Sequence, residues 1–179
     1  MNHWNSLLNK GVMAAMKSII SALCMFASAG LLVALSACTA ASPDTGFGIS
    51  HLNPDTMVDP AAFGYSQVVT VNNGRTIYLA GQGPTKLNAK SPKDLRGQAA
   101  NAVDNILLAL EAAGAGPENI VYLRINVVDY SPKMLIDIAP ELQRLTPEGA
   151  APPASVFVGV ASLVLPSTKI EIETVAAIP

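Results

Sequence analysis

The closing stretch of the chain constrains the fold most. Pro152-Pro153-Ala154-Ser155-Val156-Phe157-Val158-Gly159-Val160-Ala161-Ser162-Leu163 and Lys169-Ile170-Glu171-Ile172-Glu173 are two β-rich runs, separated by a short segment holding Pro166. In an alternating strand, Ile170 and Ile172 point to one face while Glu171 and Glu173 point to the other. The apolar face needs a cover. The two carboxylates are either solvated on an open face or held in a site.

The beginning of the chain follows different rules. Lys10 and Lys17 are the only charged residues before Cys38, and Ile19 to Leu35 is almost wholly apolar or small. A basic start followed by an apolar run and small residues reads as an export signal. Leu35-Ser36-Ala37-Cys38 resembles the lipobox of bacterial lipoproteins, in which the chain is cut before the cysteine and the cysteine carries the lipid. Met16-Lys17 offers an alternative start that would give a signal of more usual length. A plain transmembrane anchor is the competing reading, since the run is about long enough to span a bilayer. The lipobox stands where the apolar run stops and a polar tether begins, which favours lipidation at Cys38. In the lipoproteins this resembles, Thr39 after the cysteine, rather than Asp, favours the outer membrane. The expected organisation is a signal over 1–37, a lipidated cysteine and tether over 38–60, and a folded domain over 61–179, anchored at the periplasmic face of the envelope.

Cleavage before Cys38 would leave nine basic residues against thirteen acidic ones, one cysteine and one histidine, His51. An internal disulfide is then excluded, and a His/Cys metal site has too few ligands. No metal and no cofactor is expected. An acidic chain without a basic cluster argues against nucleic acid as a partner. A nucleophile–histidine arrangement would need His51, which falls in the expected tether.

Within the domain, Ser66 to Val71 and Thr76 to Ala80 flank Asn73-Gly74, a strong hairpin signal. Gly81-Gln82-Gly83-Pro84 ends the second run. Ser91 is expected as the N-cap of a helix with Pro92 at its first position and Asp94 in its first turn. Leu95, Ala99, Val103, Ile106, Leu110 and Ala113 form its apolar stripe, and Gly114 its C-cap. Ile120 to Val128 reads as a strand, with Asn126 and Asp129 as local caps near its end. Ser131-Pro132 opens a second helix, with a stripe of Leu135, Ile138, Leu142 and Leu145 that Pro140 interrupts. The order is β-β-α-β-α-β-β, and two helices covering one face of a mixed sheet make the class α+β. So apolar a unit is expected to hide its other sheet face by self-association.

Phe63-Gly64-Tyr65-Ser66-Gln67, Tyr78-Leu79-Ala80-Gly81-Gln82, Leu110-Glu111-Ala112-Ala113-Gly114, Val158-Gly159-Val160-Ala161-Ser162-Leu163 and Ile170-Glu171-Ile172-Glu173 occur in that order. Together they resemble the Rid family of reactive intermediate deaminases, also called the YjgF/UK114 family, over Ala61 to Ile178. The resemblance implies a chorismate-mutase-like fold and a homotrimer with clefts for a small molecule between subunits. It also implies hydrolysis of reactive 2-imino or enamine acids to 2-keto acids and ammonia. By the same resemblance Glu171 is the catalytic, water-positioning carboxylate, Tyr65 is the aromatic near the cleft, and Gly81 and Phe157 line it. The family's deaminases carry an arginine for the substrate carboxylate just after a Pro-Ala pair. Here that position is Ser155.

No other arginine is an obvious substitute: Arg75 flanks the hairpin, Arg96 and Arg144 are helical, and Arg124 is mid-strand. The expected function is therefore hydrolysis of an imine or enamine other than a 2-imino acid. The alternative is a non-catalytic, lipid-anchored trimer that binds a small periplasmic ligand. Ribonuclease activity, which has been attached to some relatives, sits poorly with the acidic balance. Export adds weight against the parental activity, because the best-understood deaminases of this family protect cytoplasmic enzymes.

Overall fold

The computed structural model describes residues 46–60 and 63–179. The signal, the Met16 start, the lipidation site at Cys38 and the first part of the tether, up to residue 45, lie outside the described residues. The described residues form six strands and two α-helices: β1 (Gly48–Leu52), β2 (Val68–Asn72), β3 (Arg75–Gln82), α1 (Leu95–Ala112), β4 (Ile120–Val128), α2 (Pro132–Leu142), β5 (Ala154–Val160) and β6 (Ile170–Ile178). The α+β class holds, with one strand more than expected at the front.

The main sheet has the order β3-β6-β4-β5, and β1 pairs with β2 in a separate two-stranded ribbon. β6 runs antiparallel to both β3 and β4, and β5 runs parallel to β4. A parallel pair needs a crossover, and α2 supplies it. The core forms on one side of this sheet. Ala99, Ala102, Val103, Ile106 and Leu110 of α1 and Ile138 of α2 meet Leu123, Ile125, Val127, Ile170 and Ile172 from the strands. Ile170 and Ile172 are fully buried while Glu173 between strand residues of the other face is exposed, as the alternation requires.

The hairpin expectation needs correction. β2 pairs with β1 and β3 with β6, so the two runs around Asn73-Gly74 belong to different sheets. Asn73 takes the positive φ expected of a turn, at 50°. Gly74 serves close approach instead: a Cβ there would stand 2.8 Å from the Ile178 carbonyl oxygen and from the Phe47 ring. Gly48–Leu52, read from sequence as tether, is the strand that takes β2 away from β3.

α1 starts later than its proline suggests. Asp94 is the N-cap and accepts the Gly97 N–H at 2.8 Å. Ser91 instead turns back to the Pro84 carbonyl at 3.4 Å. Gly97 is needed because Pro92 folds over the first turn, where a Cβ at 97 would lie 2.7 Å from Pro92 Cβ. The amide hydrogen bond holds the Asp94 carboxyl below its ordinary range. The helix ends at Ala113 with Gly114 next, at φ 74°. Ala115 N donates to Leu110 O at 2.9 Å and Gly114 N to Glu111 O at 3.0 Å, the paired bonds of a Schellman ending.

α2 opens at Ser131-Pro132 as expected, although the Ser131 hydroxyl makes no capping bond. It tolerates Pro140 and tightens into a 3₁₀ turn at Gln143–Leu145. Ile138 and Leu145 are buried and Leu142 packs on the core, but Leu135 is exposed; Met134 occupies that place in the stripe.

Candidate functional site

β6 lies between β3 and β4, so Glu171 has a neighbour on each side. On the β4 side it stands opposite Asn126. On the β3 side the register slips between Leu79 and Gln82. This irregularity brings Gly81 against the Glu171 side chain: a Cβ at 81 would stand 2.7 Å from Glu171 Cδ and 2.8 Å from Oε1. The missing side chain at 81, and not an unusual φ, is what leaves the Glu171 carboxylate this position. The open sheet face therefore holds a half-buried carboxylate in a notch left by a missing side chain.

The next rung is a polar group that the sequence reading did not identify. Asn126 is 5% exposed and sits inside the strand, so it is not a terminal cap. Its Nδ2 donates to Glu173 Oε1 at 3.2 Å, and its Oδ1 accepts from Arg124 Nε at 3.2 Å. Arg124 Nε lies 3.8 Å from Glu173 Oε1. Period-two alternation puts Arg124 and Asn126 on one face, but only the register of β4 against β6 makes that the face of Glu171.

Polar residues of α1 fix the loops on both sides of this face. The Gln98 amide is 1% exposed and fully used. It donates to Pro92 O at 3.0 Å and Ser167 O at 2.8 Å, and accepts the Lys169 N–H at 2.7 Å. This fixes Lys169, two residues before Glu171, where the chain enters β6. Asn105 donates to Gly83 O and Thr85 O at 3.0 and 2.9 Å, and Asn101 to Pro84 O at 3.0 Å, holding the chain that leaves Gly81. Their spacing of three and four residues gives a second, polar stripe on the helix.

The other expected site residues gather elsewhere. β5 is separated from β6 by β4, and in its parallel register Ser155 stands beside Leu123 and Phe157 beside Ile125. Both therefore lie on the helix-covered side. Phe157 packs on the core and its ring meets Tyr130 at 4.9 Å. Gly159 allows this packing, since a Cβ there would lie 3.1 Å from Tyr130 Cβ. Tyr65 joins this group through its neighbour: Ser66 N donates to Pro153 O at 3.0 Å, and Ser66 bridges Ala154. One chain thus unites Glu171 with Gly81, and separately Tyr65 with the start of β5. It does not bring Glu171 to Ser155.

His51 belongs to the second group, not to a tether. Ser66 Oγ donates to Pro152 O at 2.5 Å, and His51 Nδ1 lies 3.1 Å from Ser66 Oγ. With the serine proton committed to the carbonyl, His51 Nδ1 is the donor. Ser66, only 2% exposed, is a structural tie rather than a nucleophile. Among the described residues no cluster of three or more His, Cys, Asp or Glu side chains could hold a metal ion, and no helix is long and apolar enough to cross a membrane.

Two helices on one face of a mixed β3-β6-β4-β5 sheet are the α+β arrangement of the Rid fold, and a profile match over residues 56–178 together with a 38% identical relative shows that the chain belongs to the Rid/YjgF family. Residues 56–178 match the family profile described as Endoribonuclease L-PSP. YyfB of Yersinia pestis, a Rid-family protein of unknown function, is 38% identical with a TM-score of 0.68, over 73% of this chain and 98% of that one. The YjgF gene product of E. coli is 30% identical with a TM-score of 0.51, over 57% and 80%. E. coli TdcF, crystallised with bound serine, is 24% identical with a TM-score of 0.53, over 59% and 86%, and shows the shared fold alone. No curated protein matches the chain.

Proposed function

We propose that this chain forms a small-molecule site between copies of itself, in which Glu171 orients water for hydrolysis of an imine or enamine. The observation that carries the reading is the Glu171 carboxylate seated over Gly81 on a sheet face without helices. Tyr78, 79% exposed, with Tyr122 and Val156, gives that face apolar surface suited to a second copy. Assembly as a homotrimer would set the Glu171 half of one copy against the Tyr65–Ser155–Phe157 half of the next.

The chemistry asks little of the protein. Water adds to the imine carbon, its oxygen forming the new C–O bond. One water proton passes through Glu171 to the nitrogen, and the resulting carbinolamine releases ammonia as the carbonyl forms. A 2-imino acid would also need its carboxylate held. Ser155 offers no charge where the family's arginine would stand, and losing a two-point charged contact in a cleft costs several kcal/mol, roughly 2–5. The preferred substrate is therefore an imine or enamine of another kind.

Purified protein is offered freshly generated 2-iminopropanoate and a panel of other imines, neutral ones and ones that carry their charge away from the imine carbon. Turnover of one of these that disappears in Glu171→Gln supports the proposal, whereas 2-iminopropanoate turnover as fast as that of an arginine-bearing relative defeats the specificity. Ligand binding that survives Glu171→Gln with no hydrolysis by either protein would favour a binding module. Lipidation at Cys38, with display at the periplasmic face of the outer membrane, completes the proposal. Labelled palmitate should enter the wild-type chain and not Cys38→Ala; label persisting in the variant rules out that anchor.

A further inference from the structure

We propose that Arg124 is the anion-binding residue of this site, reaching the ligand from the open sheet face in place of a cation at position 155. The proposal rests on the reading of Glu171 as the carboxylate that faces the reacting group. It names what else the ligand carries: a carboxylate or a similar planar anion.

The geometry is that of a guanidinium held by one edge. Arg124 stands opposite Glu173 and Asn126 opposite Glu171, so the cation occupies the rung next to Glu171 on the same face. Among the described residues, every hydrogen bond and ion pair of the Arg124 side chain runs through Nε, to Asn126 Oδ1 at 3.2 Å and Glu173 Oε1 at 3.8 Å. The two Nη nitrogens form the planar fork that binds a carboxylate at two points.

Asn126 orients that fork. A buried amide inside a strand must find partners, and it finds Arg124 and Glu173 at once. An arginine serving only solubility would need no buried side chain to aim it. The remaining arginines of the helices differ. Arg144 engages Asp104 and Glu141 through both Nη atoms, and Arg96 engages Glu141, all on the helix side of the sheet. The neighbours of Arg124 raise the stakes. Val156 is its register partner on β5, and Tyr122 is the preceding residue of its own face. If this face is covered by another copy, an unfilled guanidinium fork loses water without a replacement, and an arriving anion removes that penalty. A carboxylate held at Arg124 approaches Glu171 from a different strand than one held at position 155, so a good ligand need not be a 2-imino acid.

The test uses the purified full-length chain and calorimetric titration with 4-oxopentanoate, whose carboxylate stands away from the carbonyl carbon, and its uncharged amide, 4-oxopentanamide. The wild type is expected to prefer the carboxylate at least tenfold. Arg124→Gln should erase the preference, Arg124→Lys should retain part of it, and Asn126→Ala should weaken carboxylate binding about threefold to tenfold. Glu171→Gln should leave the preference intact. A wild type that binds both probes equally, or not at all, overturns the proposal, as does an Arg124→Gln protein that keeps the preference. Should Arg124→Gln fail to fold, Arg124→Lys decides, and wild-type preference in that variant counts against the two-point contact. Hydrolysis lost in Glu171→Gln while the preference is unaffected by Arg124 substitutions would sink this inference alone. Hydrolysis retained in Glu171→Gln would sink the reading it rests on.

Discussion

The Glu171 carboxylate occupies the volume that a side chain at residue 81 would fill, with Glu171 Cδ only 2.7 Å from the Cβ position of Gly81. The two residues come from adjacent antiparallel strands, and the slip in register on β3 makes their contact possible.

Gly81→Ala should therefore separate stability from function. The obstructing atoms are the far end of a glutamate that can rotate away, so the fold should survive with a change of about 1 kcal/mol or less, partly offset by reduced freedom of the unfolded chain. Glu171 should lose its position, and any hydrolysis should fall at least tenfold. Urea unfolding together with a turnover assay checks both halves. A fully active Gly81→Ala protein would mean that the carboxylate need not sit where it does.

Gln98→Leu should be costly out of proportion to its chemical modesty. The substitution fits a buried helix position but leaves Pro92 O, Ser167 O and the Lys169 N–H without their partner. Unmet buried polar groups cost about 1–3 kcal/mol, and a loss in that range is expected in denaturant melts. Amide exchange at Lys169 and the start of β6 should rise in parallel.

Thr174→Val should move the other way. Thr174 Oγ1 is buried without a hydrogen-bond partner among the described residues. Replacing the hydroxyl by a methyl group of similar shape removes that penalty, so stability should rise by about 1 kcal/mol. A destabilised variant would show that the hydroxyl has found a partner.

Acid should weaken the ties that Asp104 of α1 makes to Lys86 in the loop after β3 and to Arg144 in the 3₁₀ turn after α2. Asp104 accepts from Lys86 Nζ and, at 2.5 Å, from Arg144 Nη2. These two hydrogen bonds, Lys86 first, hold its carboxyl below the ordinary 3.8. A carboxyl lowered in the folded state contributes its stability in full above that ordinary value and loses it as pH falls through the folded one. Both partners are partly solvated, so the contribution is about 0.5–1 kcal/mol. Asp104→Asn should be less stable than wild type at neutral pH, with the difference closing at the most acidic pH values and shrinking in high salt. A gap independent of pH would argue for packing instead of charge.

Local periodicity made much of this fold legible, and partner choice did not. The stripe from Leu95 to Leu110 identified α1, because a helix face is written at fixed spacing in contiguous residues. The alternation Ile170-Glu171-Ile172-Glu173 likewise assigned the faces of β6. The hairpin failed because Asn73-Gly74 specifies a change of direction and not the strand that each flank will join. Gly48–Leu52 carries too little apolar signal to announce itself, yet it is the partner β2 takes. The candidate site divides in the same way. Glu171 and Gly81 could be named one by one, but their contact depends on a bulge. The Arg124–Asn126–Glu173 group depends on a register that no single strand encodes.

The place of β6 in the sheet bears on how the protein is made. It is the last strand in chain order and lies between β3 and β4. Until it emerges from the ribosome, β3 has no partner and β4 has one bare flank. Domains generally form as units during synthesis, the earlier parts first, but here the earlier parts have nothing to close upon. The nascent domain is thus held open until nearly all of it has been translated. A chain truncated before Ile170 should be recognised by chaperones and proteases as unfinished rather than persist as a smaller fold.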